Sequence, residues 1–118
     1  KVYNLADVFI LNSAPRRGWL EQFGYVLAEA LASGLPIITT QSGSIPEVVG
    51  DAAVLVPPSD FLALSGAMKH LYEGRDRRSA LSSRARQHAQ QNYDCRQNAE
   101  RIMGLYERLL QGPVTAQE

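Results

Sequence analysis

Residues 21–34 constrain the fold more than any other stretch, because they carry a short apolar helix pattern that a glycine closes. One apolar run, residues 8–11, precedes this segment, and a second run rich in β-branched residues, 37–40, follows it. Gly34 is placed to end the helix, and Pro36 separates it from the second run. Strand, helix and strand in this order predict a βαβ crossover with parallel strands.

The remaining sequence predicts one more strand and four more helices. We expect a strand at residues 53–56, stopped by two prolines, and a short helix at 45–49. Further helices are predicted from Ser59 or Asp60 to Gly74, at 76–91, and after Asp94. The polar helix at 76–91 is expected on the surface, with only Leu81 and the alanines 80, 85 and 89 to bury, while the apolar faces of the other helices are expected to be mostly core. In the helix after residue 21 that face consists of Val26, Leu27, Ala30 and Leu31. The pattern is that of a single α/β domain over residues 1–118, with about three parallel strands, flanking helices and a helical C-terminus.

Composition excludes several classes of protein. The 118 residues contain 12 basic and 12 acidic side chains, so no net charge favours nucleic acid as a partner. A hydrophobic fraction of 45% is enough for a core, and no apolar run approaches the roughly 20 residues that span a bilayer.

The single cysteine, Cys95, can form no internal disulfide, which favours a reducing compartment. His70 and His88 have no partners at metal-ligand spacing, and we expect both to be solvated.

Two carboxylates frame the predicted helix that begins after residue 21. Glu21 precedes the helix and Glu29 lies eight residues later, which is about 12 Å along a helix axis. The helix N-terminus between them favours an anion through its free N–H groups and its dipole. A nucleotide-diphosphate sugar would fit, with hydroxyls at both ends and a charged middle. The alternative is that both glutamates are solvated residues favoured by the helix dipole alone.

The residues themselves resemble a known family. The stretch 19–38 reads Trp-Leu-Glu-Gln-Phe-Gly-Tyr-Val-Leu-Ala-Glu-Ala-Leu-Ala-Ser-Gly-Leu-Pro-Ile-Ile. It resembles the Glu-x7-Glu motif of the retaining group 1 (family 4) glycosyltransferases, and the stretches 6–11, 42–50 and 55–58 agree with that family in order and spacing. The similarity runs from residue 6 to residue 110. It implies the C-terminal part of a Rossmann-like, nucleotide-sugar-binding domain of the GT-B fold.

The resemblance also implies roles for individual residues. Glu21 would contact the transferred sugar as the catalytic carboxylate, and Glu29 would accept hydrogen bonds from the ribose. The diphosphate and sugar would be held by backbone N–H groups around four residues, Phe23, Gly24, Tyr25 and Val26. No metal and no cofactor are expected besides the nucleotide-sugar donor. Arg16 and Arg17 are candidates to approach the diphosphate or the acceptor, the alternative being exposed loop arginines with no specific role, and Gly43 is a candidate at the edge of the pocket.

The sequence departs from the family pattern at two places. Gln22 stands where the family usually has glycine, and the loop between residues 13 and 21 is longer than usual. The chain also begins with Lys1 rather than methionine, so we expect a piece of a longer protein from which the N-terminal acceptor domain is missing. The resemblance implies a cytoplasmic enzyme, peripheral at the inner face of the membrane.

Two hypotheses therefore stay open. The chain is either the donor-binding part of a glycosyltransferase, inactive when alone, or a non-catalytic module of the same fold. In both cases the strand at residues 8–11 would have an unpaired edge, which predicts a homo-oligomer through that edge or through the last helix.

Overall fold

The three predicted strands form one parallel sheet. A computed structural model describes residues 2–16 and 20–111, with strands β1 (Phe9–Leu11), β2 (Ile37–Thr40) and β3 (Val54–Val56) in the order β1-β2-β3. Phe9 pairs with Ile37 and Ile38 pairs with Val54. The predicted strands are confirmed to within one residue, and β1 lies at an edge of the described sheet, as expected.

Five α-helices accompany the described strands. They are α1 (Tyr25–Ala32), α2 (Ile45–Val49), α3 (Phe61–Glu73), α4 (Arg75–Asn92) and α5 (Cys95–Leu110), and a 3₁₀ turn precedes β1 at Tyr3–Leu5. Asp60 caps α3 by accepting from the N–H of Ala63 (2.9 Å), and Asp94 caps α5 in the same way. The Gln97 side chain donates to the carbonyl of Gln90, so the second bond of a capping box, from the Asp94 N–H to Gln97, is not made.

The helices cover both faces of the sheet. Ile37 packs into a core with residues of α1, α2 and α4, whereas the next residue, Ile38, packs on the opposite face with Leu71 of α3. Adjacent residues of a strand point to opposite faces, so all four residues of β2 are buried. This three-layer α/β arrangement is the predicted fold class.

The last helix differs from expectation. The apolar face of α5 was predicted to be mostly core, yet α5 buries no residue and its apolar side chains are about half or more exposed. Among residues 2–16 and 20–111, the side-chain hydrogen bonds that α5 makes to other elements reach only the end of α4, as in Arg101 to the carbonyl of Gln91 (3.1 Å). Ala80 of α4 and Val26 of α1 are likewise exposed where burial was expected.

His88 also differs from expectation, because it is not simply solvated. Its Nε2 donates to the carbonyl of Val48 at 2.9 Å, and the Tyr93 hydroxyl donates to the same oxygen at 2.6 Å. These two bonds satisfy a carbonyl near the end of α2, and they join α2 to the end of α4. They hold α2 and the turn before it in a fixed position against the sheet.

Candidate functional site

The N-terminus of α1 presents unpaired backbone donors. Its N-cap is Gly24, in the left-handed conformation with φ of 68°, and no side chain caps the helix. Among the described residues, nothing accepts from the N–H groups of residues 23–26. Tyr25 is exposed and Val26 partly so, and the first turn contains no acidic residue. An anion bound here would receive several N–H donors and the positive end of the helix dipole.

The turn between β2 and α2 holds the loop that contains Glu21. The N–H of Ser44 donates to the Glu21 carbonyl at 3.0 Å, and its Oγ donates to the same oxygen at 3.2 Å. The one proton of the Ser44 hydroxyl is shared between this oxygen and the carbonyl oxygen of Gln22. The N–H and hydroxyl of Ser44 therefore meet the backbone carbonyls of Glu21 and Gln22 just before α1 begins. The backbone of Glu21 is fixed, while its carboxylate makes no hydrogen bond to another described residue.

Gly43 is the point of closest approach between this turn and the Glu21 loop. A Cβ at Gly43 would overlap the carbonyl oxygen of Glu21 and lie 3.0 Å from its carbonyl carbon. Gly43 also has φ of 55°, which residues with a side chain rarely adopt. Sequence reasoning made Gly43 a candidate at the edge of the pocket. The structure places it against the backbone of Glu21, where it allows the loop and the turn to touch.

Glu29 lies in the second turn of α1 with an exposed carboxylate. The hydroxyl of Tyr3, in the 3₁₀ turn before β1, donates to its Oε2 at 2.6 Å. This hydrogen bond, followed by partial loss of solvent and by the carboxylate charge, raises the pKa of Tyr3 above the ordinary value. The Tyr3 ring packs against Phe9 with ring centroids 5.8 Å apart, so both its ring and its hydroxyl are held.

The other predicted residues are placed as follows. The ring of Phe23 packs against the rings of Tyr25 (5.1 Å between centroids) and Tyr93 (5.7 Å), so its side chain ties the start of α1 to the end of α4. Arg16 is exposed, and its side chain bonds to none of the described site residues. Arg17 lies outside the described residues. Glu21 thus precedes α1, residues 23–26 form its start, and Glu29 lies in its second turn; their roles in binding stay predictions.

Sequence reasoning missed Tyr3, and it missed the contact of Ser44 with the Glu21 loop. Tyr3 lies 26 residues from its partner Glu29, and no local pattern connects them. A serine before a predicted helix suggests an N-cap, and Ser44 does occupy the N-cap of α2, but its hydroxyl makes no capping bond. Within residues 2–16 and 20–111, no three His, Cys, Asp or Glu side chains are close enough to hold a metal. No helix in that part of the chain could cross a membrane.

Comparison with known proteins adds a family match. The model of the family described as "Glycosyl transferases group 1" matches residues 1–88. Spore coat protein SA of Bacillus subtilis is 30% identical over 111 residues, which are 92% of this chain and 28% of that protein. D-inositol 3-phosphate glycosyltransferase of Corynebacterium urealyticum is 34% identical over 110 residues, 92% of this chain and 24% of that enzyme. The chain spans about a quarter of the length of these curated relatives.

Solved structures are similar over the same part of the chain. Sucrose-phosphate synthase from Thermosynechococcus elongatus superposes with a TM-score of 0.76 at 27% identity, covering 92% of this chain and 27% of that one. The Anabaena protein HepE, solved in complex with UDP, gives a TM-score of 0.80 at 21% identity, covering 91% of this chain and 29% of its own. The second likeness supports the fold.

Proposed function

This chain belongs to the group 1 glycosyltransferases, and from that premise we propose that it binds the nucleotide-diphosphate sugar from which such an enzyme transfers a glycosyl group with retention of configuration. The observation that carries the proposal is the uncapped N-terminus of α1, with one carboxylate four residues before the helix, at Glu21, and another in its second turn, at Glu29. A donor of this kind has hydroxyl groups at both ends and two phosphates between them. Its charge distribution is complementary to the site.

Each part of the site has a proposed task. The N–H groups of residues 23–26 hold the diphosphate and stabilise the charge that develops on it as it leaves. Glu21 accepts from hydroxyls of the transferred sugar and stabilises positive charge at the anomeric carbon. Glu29 accepts from the ribose. Because backbone donors and the helix dipole supply the positive potential, this scheme uses no metal and no cofactor.

We expect this chain to retain nucleotide binding but not glycosyl transfer. The 118 residues span about a quarter of the length of the curated relatives. We therefore propose weak donor binding, no transfer by this chain alone, and a full-length enzyme that supplies the acceptor site. In the cell we place that enzyme in the cytoplasm, peripheral at the inner face of the membrane.

The test is a titration of the 118-residue chain with UDP, GDP and ADP, monitored by amide NMR shifts. We expect shifts at residues 22–30 that saturate with one nucleotide and are lost in Glu29→Ala. Glu100→Ala is the matched control, because Glu100 is also exposed on a helix but lies on α5. Shifts that are absent at millimolar nucleotide, or that are equal in both variants, would contradict the proposed donor site.

A second candidate function is a self-associating module without catalysis. It is favoured by β1, an edge strand of the described sheet whose Ile10 is 38% exposed, and by the uncovered apolar face of α5. Light scattering coupled to size exclusion tests it. A concentration-dependent dimer without nucleotide shifts would favour this module, whereas a monomer that binds nucleotide would favour the donor site.

A further inference from the structure

The Tyr3–Glu29 pair joins two distant parts of the chain at the ribose end of the proposed site. Tyr3 belongs to the 3₁₀ turn before β1, and Glu29 belongs to α1, 26 residues later. The hydroxyl–carboxylate distance of 2.6 Å lies in the range of strong, charge-assisted hydrogen bonds. Because Phe9 supports the tyrosine ring, the hydroxyl is presented from a fixed position.

An exposed glutamate needs such a partner to bind a diol well. The side chain rotates about several bonds, and ordering it on binding costs about 1–2 kcal/mol of conformational free energy. A hydrogen bond to Oε2 orders the side chain before the ligand arrives, so this cost does not reduce the affinity. The carboxylate keeps enough lone pairs to accept from two further hydroxyls after Tyr3 has donated to it.

We propose that Tyr3 is a positioning residue that directs the Glu29 carboxylate at the ribose hydroxyls of the nucleotide. This inference rests on the proposed function, because it needs a ribose beside Glu29. Tyr3 supplies a hydrogen-bond donor in a fixed position, because its ring packs against Phe9 of β1. A merely structural role, in which the bond only ties the 3₁₀ turn to α1, would affect stability but would not depend on which nucleotide is bound.

The experiment compares a ligand that has ribose hydroxyls with one that lacks them. UDP and 2′,3′-dideoxyuridine diphosphate are titrated into the wild-type chain, Tyr3→Phe, Glu29→Gln and the double variant. Tyr3→Phe should weaken UDP binding about 3–10-fold and change dideoxy binding less than about 2-fold. In the Glu29→Gln background, Tyr3→Phe should have little further effect on UDP, because the two residues act as one unit.

The control is Tyr72→Phe, which removes the hydroxyl of an exposed tyrosine on α3. Amide spectra and thermal unfolding establish that each variant is folded. Equal weakening of both nucleotides by Tyr3→Phe would overturn the inference, and so would unchanged UDP binding. If Glu29→Gln still weakens UDP in that second case, only the Tyr3 inference fails. If the wild-type chain binds GDP or ADP instead of UDP, the same comparison is made with that nucleotide and its 2′,3′-dideoxy analogue. If it binds none of the three, the proposed function fails and the inference fails with it.

Discussion

The two carboxylates of the site are held in opposite ways. Glu21 is held through its backbone, by the N–H and hydroxyl of Ser44 and by the close approach of Gly43, while its carboxylate makes no hydrogen bond to other described residues. Glu29 is held through its side chain, by the hydroxyl of Tyr3, while the helix fixes its backbone.

The difference follows from where each residue lies. A helical residue has its backbone ordered by the helix, so only its rotamer remains to be chosen. A residue before the helix has no such support, and the neighbouring turn must supply it. That support has a cost, since Ser44 gives up the capping bond of α2, and Gly43 adopts a conformation that other residues avoid. Pro46, early in α2, reduces the cost because its fixed φ suits a helix start.

The largest effect is expected at Gly43, because the backbone support of Glu21 has no room for a side chain there. Gly43→Ala should lower the free energy of unfolding by about 2 kcal/mol or more, through the left-handed φ and the overlap with the Glu21 carbonyl. Urea unfolding measures the loss, and amide shifts should change at residues 20–24. Binding of the sugar end of the donor should weaken with it.

Gly66→Ala is the matched control for that variant. Gly66 lies inside α3, and a Cβ there meets no atom within 4 Å. Alanine should therefore stabilise the chain by about 0.5–1 kcal/mol. Similar behaviour of the two variants would show that Gly43 does not support Glu21, and the proposed difference between the two carboxylates would be wrong.

A smaller effect is expected from the Ser44 hydroxyl. Ser44→Ala removes the bonds from Oγ to the carbonyls of Glu21 and Gln22 but keeps the bond from the N–H. We expect a loss of about 0.5–1.5 kcal/mol and amide shifts confined to the Glu21 loop and the turn. Urea unfolding and amide spectra measure both.

Ser42→Ala provides the comparison, since Ser42 lies two residues earlier in the same turn. Its hydroxyl is buried and has no partner among the described residues. Removing an unsatisfied buried hydroxyl should leave stability unchanged within about 0.5 kcal/mol or raise it slightly. A greater loss at Ser42 than at Ser44 would mean that the turn is stabilised by something other than its bonds to Glu21.

The same contrast explains how far the sequence could predict this protein. Periodicity and breakers predicted the sheet and the helices, because apolar runs such as 37–40 and caps such as Asp60 act over a few residues. The carboxylates at Glu21 and Glu29 were proposed from their spacing and, above all, from the resemblance of the motif that contains them, and their roles stay predictions. The residues that support these carboxylates were not predicted, because Tyr3 contacts Glu29, and Ser44 contacts Glu21, only after the chain folds.

The last helix shows the other limit. An amphipathic pattern establishes that α5 has an apolar face, but not what covers it. The exposed side chains on this face include Ile102, Met103 and Tyr106. Within the part of the chain that the structure describes, only the end of α4 is hydrogen-bonded to α5. Pattern alone therefore predicted the helix correctly and its burial wrongly.

The smallest expected effect is a pH dependence of stability that arises from the hydrogen bond between Tyr3 and Glu29. The pKa of Tyr3 is raised above 10.0 in the folded chain, chiefly by its bond to Glu29. The folded state then binds this proton more tightly than the unfolded state, so the contribution of Tyr3 to stability is complete below about pH 10 and is lost as the pH rises through the raised value. Burial raises the pKa of Tyr93 in the same direction, so wild type alone would not isolate Tyr3.

Comparison with Tyr3→Phe isolates the effect, because both chains keep Tyr93. Urea unfolding between about pH 8 and about pH 11 should show the stability difference between wild type and Tyr3→Phe shrinking as the pH rises, since ionised Tyr3 can no longer donate to Glu29. A difference that stays constant across this range would show that the Tyr3 proton is not shared with Glu29. The Glu29 carboxylate would then lack a hydrogen-bond partner, like the Glu21 carboxylate. The two residues would differ only in how their backbones are supported.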